Sequence, residues 1–405
     1  MYKLYVLGIT DTLLTIDQEN ILSGCSLIVG TKRFAPLVAH LPCKFIEIAP
    51  LDSAIEVIRK TLPASNVAVL ASGDPLFYGI GRRLLTEFPK DTIVVYPALS
   101  SLQRACALFQ VSWDDAKITS LHGRTHSHIP GLLLANKKNL VLTDAKNSPD
   151  RISAQLLDYL QLIGETSLPQ KIKMLVAENI GLENEKIFCG NLLEGSEHSF
   201  SPLNILCLLV PSAPDHSSYN YRFGLTEDSI QHSRGLITKD EVRAATLHRL
   251  QLPTKGILWD IGAGSGSLSI EAARSNPGLT VYAIEHKVEE VENIKNNIVK
   301  FRCYNILPVF GRAPEALDQL PDPDRVFIGG SSGSLPEIVE LIDRRLDSDG
   351  RLVVNGVIEK TVQVTPELMK KYGFSVTASV IKVTRTEADG RTFDFNPITI
   401  MTGTR

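Results

Sequence analysis

The stretch Leu258-Trp259-Asp260-Ile261-Gly262-Ala263-Gly264-Ser265-Gly266, followed by the helical pattern Ser267–Arg274, narrows the possible folds more than any other part of the chain. An apolar strand runs into a glycine-rich turn and directly on into a helix. A strand that leaves through a helix rejoins its sheet by a crossover, so its partner strand is parallel. The alternation recurs. Strands are predicted at Leu4–Leu7, Leu27–Val29, Val67–Ala71, Thr92–Tyr96, Asn139–Leu142, Lys173–Ala177 and Ile205–Val210, then at Gly256–Ile261, Thr280–Glu285, Arg325–Ile328 and Leu352–Val357. Helical stretches separate most of them, which predicts an α/β architecture with mainly parallel pairing. The end of the chain departs from this pattern. Val376–Thr384 and Thr392–Thr402 are β-rich, and Asp389-Gly390 between them is a hairpin signal, so the parallel sheet is expected to end in an antiparallel hairpin.

At 405 residues the chain exceeds one ordinary core. Residues 211–221 hold two prolines and three serines without apolar periodicity, the composition of a linker. Two domains are therefore expected, 1–210 and 222–405. Apolar residues at 43% and charged residues at 21% give the balance of a soluble globular protein. No apolar run reaches the roughly 18 residues of a membrane span. The first residues lack the pattern of a signal peptide, and a cytoplasmic location without membrane attachment is expected. The six cysteines are scattered singly and the nine histidines form no ligand cluster, so no metal site is expected. His122, His126 and His128 come nearest to one. The net charge is −3 and no Lys/Arg-rich run is present, which argues against a nucleic-acid partner.

The glycine-rich turn is also the clearest candidate site. It lets a backbone approach a ligand closely, and the helix N-terminus behind it favours negative charge. Glu285, at the end of the next strand, can accept both hydroxyl protons of a ribose. Dinucleotide enzymes share these features. Asp260 tips the reading, because a carboxylate just before the loop suits the positive amino group of S-adenosylmethionine and sits poorly beside a pyrophosphate. A dinucleotide loop and a purely structural turn are the alternatives. Thr238-Lys239-Asp240-Glu241 has the spacing of a capping box. Helix capping alone would explain Thr238 and Glu241; the functional reading adds a cofactor contact from Thr238 and substrate contacts from Lys239 or Arg243. A further strand, Arg325–Ile328, enters Gly329-Gly330-Ser331-Ser332-Gly333, with Pro336 opening a helix. In open α/β sheets ligands bind beyond the carboxyl ends of strands, so Gly329, Gly330 and Ser331 are candidates for the wall of a second-substrate site. An ordinary strand-to-helix connection is the alternative.

In the first domain, Val67–Ala71 runs into Ser72-Gly73-Asp74-Pro75, where Asp74 reads as an N-cap and Pro75 as the first helical residue. Helix initiation accounts for the Asp-Pro pair but not for Gly73, Gly79 and Gly81 around it. Small-residue exits follow at Pro97-Ala98-Leu99-Ser100-Ser101 and at Ser120-Leu121-His122-Gly123-Arg124. Three such exits from neighbouring strands would outline a cleft, unlike the acidic glycine loop of the second domain.

At these residues the chain resembles known families. Residues 1–210 resemble the tetrapyrrole (corrin/porphyrin) methylases, through Ala71–Gly81, Ser100-Ser101-Leu102-Gln103 and Ser120–Arg124. Residues 222–405 resemble the corrin methyltransferases with decarboxylase activity, through Thr238–Arg243, Trp259–Gly266 and Pro323–Ser331. The resemblance implies a two-lobed tetrapyrrole methylase fold followed by a Rossmann-like class I methyltransferase. It implies S-adenosylmethionine contacts at Gly73, Asp74 and Ser101 in the first domain. In the second it implies them at Thr238, Gly262, Ala263, Gly264, Ser265, Gly266, Glu285, Arg312 and Ala313. It further implies a corrinoid substrate, methylation at carbons 5 and 15 with loss of the carbon-12 acetate carboxyl, and homo-oligomeric association. The chain departs from the first family at Gly8-Ile9-Thr10-Asp11, which lacks the usual second glycine and proline, and at Pro97-Ala98, where Pro-Gly is usual.

The implied chemistry suits the residue types. Methyl transfer from a sulfonium is an in-line displacement governed by positioning, so no nucleophile or metal is required. Cations for the substrate's carboxylates are required. Candidates are Arg222, Arg234, Lys239, Arg243 and Arg325 in the second domain, and Arg82, Arg104 and Arg124 in the first, with His122 beside the last. Each could equally be a surface charge. An RNA methyltransferase, a non-catalytic tetrapyrrole carrier and an NAD oxidoreductase are the rival functions.

Overall fold

In the first sheet the apolar runs are buried on both faces. Its strands are β1 (Leu4–Ile9), β2 (Leu27–Gly30), β3 (Lys44–Glu47), β4 (Val67–Ser72) and β5 (Ile93–Tyr96), in the order β3-β2-β4-β1-β5. The pairs β1–β4, β1–β5, β2–β3 and β2–β4 are parallel. Alternate residues serve opposite layers. Leu4, Val6, Val67 and Val69 pack with Ile55, Ile58 and Leu84. Leu7, Ile9, Ala68 and Leu70 pack with Leu22, Phe34 and Val38. Two-sided burial is why these strands read as continuous apolar runs.

The structure, a computed structural model, describes residues 2–10, 13–123, 126–211, 223–233 and 237–405. Arg124, Arg222, Arg234, Asp11 and nearly all of the 211–221 connector lie outside the described residues. By internal contacts the chain forms two compact units. One comprises 1–115, 175–189 and 200–206, the other 116–174, 190–199 and 207–405. A second sheet has the order β6-β7-β10-β8-β9, formed by Lys117–Ser120, Lys138–Leu142, Asn204–Leu209, Lys173–Glu178 and Lys186–Asn191 respectively.

The third sheet carries β11 (Lys255–Ile261), β12 (Gly278–Glu285), β13 (Ile306–Phe310), β14 (Arg325–Ile328), β15 (Arg351–Gly356), β16 (Ser375–Ile381) and β19 (Ile398–Thr404), in the order β13-β12-β11-β14-β15-β19-β16. Five strands are parallel, and the terminal pair is antiparallel as expected. The hairpin is more elaborate than its turn signal indicated. The last strand, β19, inserts between β15 and β16, and short strands β17 (Thr384–Thr386) and β18 (Thr392–Asp394) form a separate tip. Gly390 turns that tip with φ +86°. The strands β3, β9 and β13 are not among those the sequence predicts, and β6 is implied there only by its exit at Ser120. β3, β6, β9 and β13 stand at the ends of their sheets; β13 carries Pro308, which an edge strand tolerates because it needs no donor on its open side.

One face of the third sheet packs Trp259, Ile261, Ile284, Val326, Ile328, Leu352 and Val354 against Ile338, Val339, Ile342 and Met369. The opposite residues of β11, including Asp260, therefore face the helices Asp240–Leu250 and Ser267–Ser275. Within the same unit, residues near the helix Ile129–Leu134 are tied to the Cys303–Ile306 turn. His128 Nε2–H donates to the Tyr304 carbonyl at 2.9 Å, and the Tyr159 hydroxyl to the Ile306 carbonyl at 2.8 Å. Among the described residues no helix is long and apolar enough to cross a membrane.

Candidate functional site

The order of the third sheet creates one topological switch. From β11 the chain moves outward through β12 and β13, then returns to β14 and β15 on the other side. The crevice beyond the carboxyl ends of β11 and β14 is the default ligand position in such sheets. Register delivers three segments there. Ile261 pairs with both Ile284 and Ile328, so the glycine loop, Glu285 and Gly329 emerge side by side.

The loop needs its glycines. Gly262, Gly264 and Gly266 have φ of +69°, +55° and +76°, a region costly for other residues. Gly262 and Ala263 donate to the Ile284 carbonyl at 2.9 and 3.0 Å. A Cβ on Gly262 would lie 2.5 Å from the Gly330 oxygen, so the two loops touch through backbone alone. By contrast a Cβ on Gly264 or Gly330 would meet nothing within 4 Å. Both face open space.

Glu285 borders that space and is almost wholly buried. Its Oε2 accepts from Gly264 N–H at 2.9 Å, and its Oε1 from the N–H groups of His286 and Lys287 at 2.8 and 3.0 Å. A carboxylate offers about four lone-pair sites, so Oε2, with its single N–H, can still receive a ligand hydroxyl. Arg312 and Ala313 line the same recess, with Arg312 exposed. The donor set and the open backbone fit an adenosyl group.

Asp260 corrects the sequence reading. It is fully buried, and strand alternation turns it behind the loop rather than into the cleft. Its Oδ2 accepts from Ser269 Oγ at 2.5 Å, while Oδ1 has no partner. Burial pushes its carboxyl up to about 7; Ser269 pulls the other way and the charge of Glu285 adds to the rise. Asp260 therefore supports the loop from behind through Ser269.

The Thr238–Glu241 capping box does not form. The helix starts at Asp240 with Lys239 at its N-cap and no side-chain cap. Arg385 takes Glu241 instead, at 2.9 and 2.7 Å, and also Glu227 at 2.6 Å. Thr238 and Lys239 line the cleft in front of the glycine loop, the candidate cofactor cleft, with Ser265, Phe327, Gly329, Asn355 and Phe395. Lys239 pairs with Glu227 at 2.7 Å and lies 4.7 Å from the Phe395 ring centre. The preceding residues are pinned by polar groups of the helix Val288–Phe301. Asn297 Nδ2 donates to the Gln231 carbonyl at 2.8 Å, and Asn293 Nδ2 to Ser233 Oγ at 2.8 Å.

Two candidate cations are structural. Arg243 is 1% exposed and pairs with Glu271 at 2.5 Å and Asp240 at 2.9 Å. It also donates to the Thr238 carbonyl at 3.1 Å and to that of Leu225, which leaves it unavailable to a substrate. Arg325 opens β14, at the strand end opposite the loop, and binds the carbonyls of Leu250, Gln251, Asp324 and Asp349. Beyond the cofactor cleft, Gly329–Gly333, Val357, Ile358 and Val364 border a groove. Val357 and Ile358 are 59% and 68% exposed, an apolar surface of the kind that marks a binding site.

In the first unit, Thr10, Gly73, Ser101 and Arg104 line a cleft at the carboxyl ends of β1 and β4, with Arg33 and Gly181. Gly73 has φ +65°. Gly8 cannot carry a side chain, since a Cβ would lie 2.5 Å from the Gly73 oxygen and 2.7 Å from Ala98 Cβ. Asp74 does not cap a helix. Its Oδ1 accepts from Leu76 N–H at 2.8 Å within a turn, and the helix begins only at Gly81. Arg104 Nη1 donates to the Thr10 carbonyl at 3.0 Å, whereas Arg82 is an exposed residue. The third exit does not come from a neighbouring strand: it follows β6 in the second sheet. There His122 is exposed, with Nδ1 3.3 Å from the Thr143 carbonyl.

Sequence reasoning missed Asn355, Phe395 and Arg385. Asn355-Gly356, a polar residue and a glycine closing an apolar strand, was the signal for the first. The other two follow a hairpin whose fold-back the chain order does not announce.

Residues 4–194 match the family model for tetrapyrrole (corrin/porphyrin) methylases, and residues 229–403 match that for a precorrin methyltransferase domain. A precorrin-6Y C(5,15)-methyltransferase [decarboxylating] from Sinorhizobium sp is 34% identical over 348 residues, spanning 84% of this chain and 80% of the relative. The protein so named from Mycobacterium tuberculosis (strain CDC 1551 / Oshkosh) is 29% identical over 302 residues, 72% of this chain and 70% of that one. A solved structure of precorrin-6y C5,15-methyltransferase from Geobacter metallireducens GS-15 is 40% identical, covers 46% of this chain and 98% of its own, and has a TM-score of 0.45. With a relative above 30% identity covered over most of its length, the chain belongs to the precorrin-6Y C(5,15)-methyltransferase (decarboxylating) family.

Proposed function

We propose that this methyltransferase uses S-adenosylmethionine to methylate a precorrin-6 type corrinoid at carbons 5 and 15 and removes the carboxyl of its carbon-12 acetate. Carbon 5 is assigned to residues 1–210, carbon 15 and decarboxylation to 222–405. The observation that carries the reading is the open space in front of Gly264 and Gly330, walled by the Glu285 carboxylate. Glu285 accepts a ribose hydroxyl, Arg312 and Ala313 border the base, and Thr238 with Gly262–Gly266 encloses the amino-acid end. Bound there, S-adenosylmethionine supplies an electrophilic methyl group. The chain's own contribution is positioning and exclusion of water. The apolar groove at Val357 and Ile358 receives a ring face, with Gly329, Gly330 and Ser331 as its floor. Lys239 is the cation that lines the cofactor cleft among the described residues. In the first unit Gly73 and Ser101 contact the cofactor and Arg104 faces a substrate carboxylate.

Mass spectrometry of products made with labelled S-adenosylmethionine tests this. Wild-type protein should add two methyl groups and lose carbon dioxide. The Glu285→Ala variant should add one methyl group and keep the carboxyl. A doubly methylated, decarboxylated product formed by Glu285→Ala at the normal rate would overturn the assignment.

A further inference from the structure

We propose that Asn355 contacts the methyl-accepting ring and receives a ring N–H on its carboxamide oxygen. The inference rests on the corrinoid reading above. Two clefts meet at the end of β15. The cofactor cleft and the apolar groove share Gly329, Asn355 and Val357, and of these Asn355 alone has a polar side chain. A methyl group passing from one cleft to an acceptor in the other crosses beside it.

The orientation of the amide follows from proton counting. Thr246, fully buried on the helix Asp240–Leu250, donates its hydroxyl proton to the Val242 carbonyl at 2.7 Å. A hydroxyl has one proton to give. Asn355 Nδ2 therefore donates to Thr246 Oγ1, at 3.0 Å. Asn355 Oδ1 lies 3.4 Å from the same hydroxyl, which has no second proton for it. Turning the amide over would set oxygen against oxygen. One amide proton is thus given to the protein, which fixes the flip of the carboxamide and leaves the oxygen to accept from a ligand. The backbone is held in the sheet, where Asn355 pairs with Ile400 of β19.

An acceptor oxygen suits the step. Methylation of an enamine carbon breaks the sulfur–methyl bond and forms a carbon–methyl bond. The positive charge passes from sulfur, which leaves as a neutral thioether, to the ring nitrogen, whose N–H becomes an iminium N–H. A fixed oxygen on that N–H favours the transition state over the ground state. A neutral carboxamide does so without repelling the substrate's carboxylates.

The test uses the full chain. Asn355→Leu keeps the branched shape and removes the acceptor, and Thr246→Val releases the amide. Calorimetry reads S-adenosylmethionine binding, the precursor's visible absorption reads corrinoid binding, and single-turnover label transfer reads the step. Asn355→Leu should bind the cofactor within about twofold of wild type and transfer label on the order of 100-fold more slowly. Thr246→Val should fall between that variant and wild type. A wild-type transfer rate in Asn355→Leu overturns the proposal. If that variant does not fold, a wild-type rate in Thr246→Val overturns it equally. Wild-type protein that binds the cofactor and transfers nothing to the corrinoid refutes the corrinoid reading, and the proposal with it.

Discussion

Single residues separate the two uses of glycine at this site. Gly330 has no positive φ and open space where a Cβ would go. Gly330→Ala should melt like wild type and lose at least about tenfold in methyl transfer, because the methyl group occupies ligand space. Gly262→Ala adds a clash with Gly330 to a left-handed backbone and should cost about 1–3 kcal/mol in thermal or denaturant unfolding. Asp260 predicts a pH dependence. Its folded pKa, about 7, lies above the unfolded value. The stabilising contribution is therefore fully present below the unfolded pKa and is lost as pH rises through about 7. Melting curves from pH 5 to 8 should show ligand-free wild type losing stability relative to Asp260→Asn across that window. An unchanged difference would mean that Asp260 is ionised throughout. The sequence marked Asp260 as important for a sound reason, a carboxylate beside a cofactor loop. Which side of the strand it faces was set by register with β12 and β14.

At the scale of elements, the β17–β18 tip is held to the cofactor cleft by charge. Its short strands pair Thr384, Arg385 and Thr386 with Asp394, Phe393 and Thr392 respectively. Arg385 clasps Glu241 and Glu227, and hydrogen bonding to Arg385 holds the Glu241 carboxyl below its usual value. Burial pushes Glu227 up, but Lys239 and Arg385 outweigh it and hold it below its usual value too. Partly exposed pairs contribute little to global stability, roughly 0–1 kcal/mol. Arg385→Ala should therefore leave the melting temperature nearly unchanged. It should speed amide hydrogen exchange at 384–394 by about tenfold and raise the corrinoid KM, since Phe395 follows this tip into the cleft wall. Unaltered exchange would show that strand pairing alone holds the tip. Here Thr238 and Glu241 had the right spacing for a capping box, and a distant arginine took the glutamate.

For the whole molecule, the proposed function, with a cofactor in each of two unlike clefts, predicts two binding events per chain. Calorimetry of wild type should resolve two S-adenosylmethionine sites, and Glu285→Gln should weaken one of them by at least about tenfold while leaving the other. A single site in wild type would mean that the Gly73–Ser101 cleft does not bind the cofactor. Hydrophobic period and punctuation determined much of this protein by themselves. The parallel strands, the glycine loop with its acidic neighbours, the terminal hairpin and the family are local patterns, and a short window of sequence holds them. Tertiary structure decided what depends on distant partners. It committed Arg243 to Glu271, turned Asp260 behind its loop, inserted β19 between β15 and β16, and brought Asn355 between the cofactor cleft and the apolar groove. Side chains of one type are alike in sequence, and only packing settles whether a charge meets a protein partner or is left for a ligand.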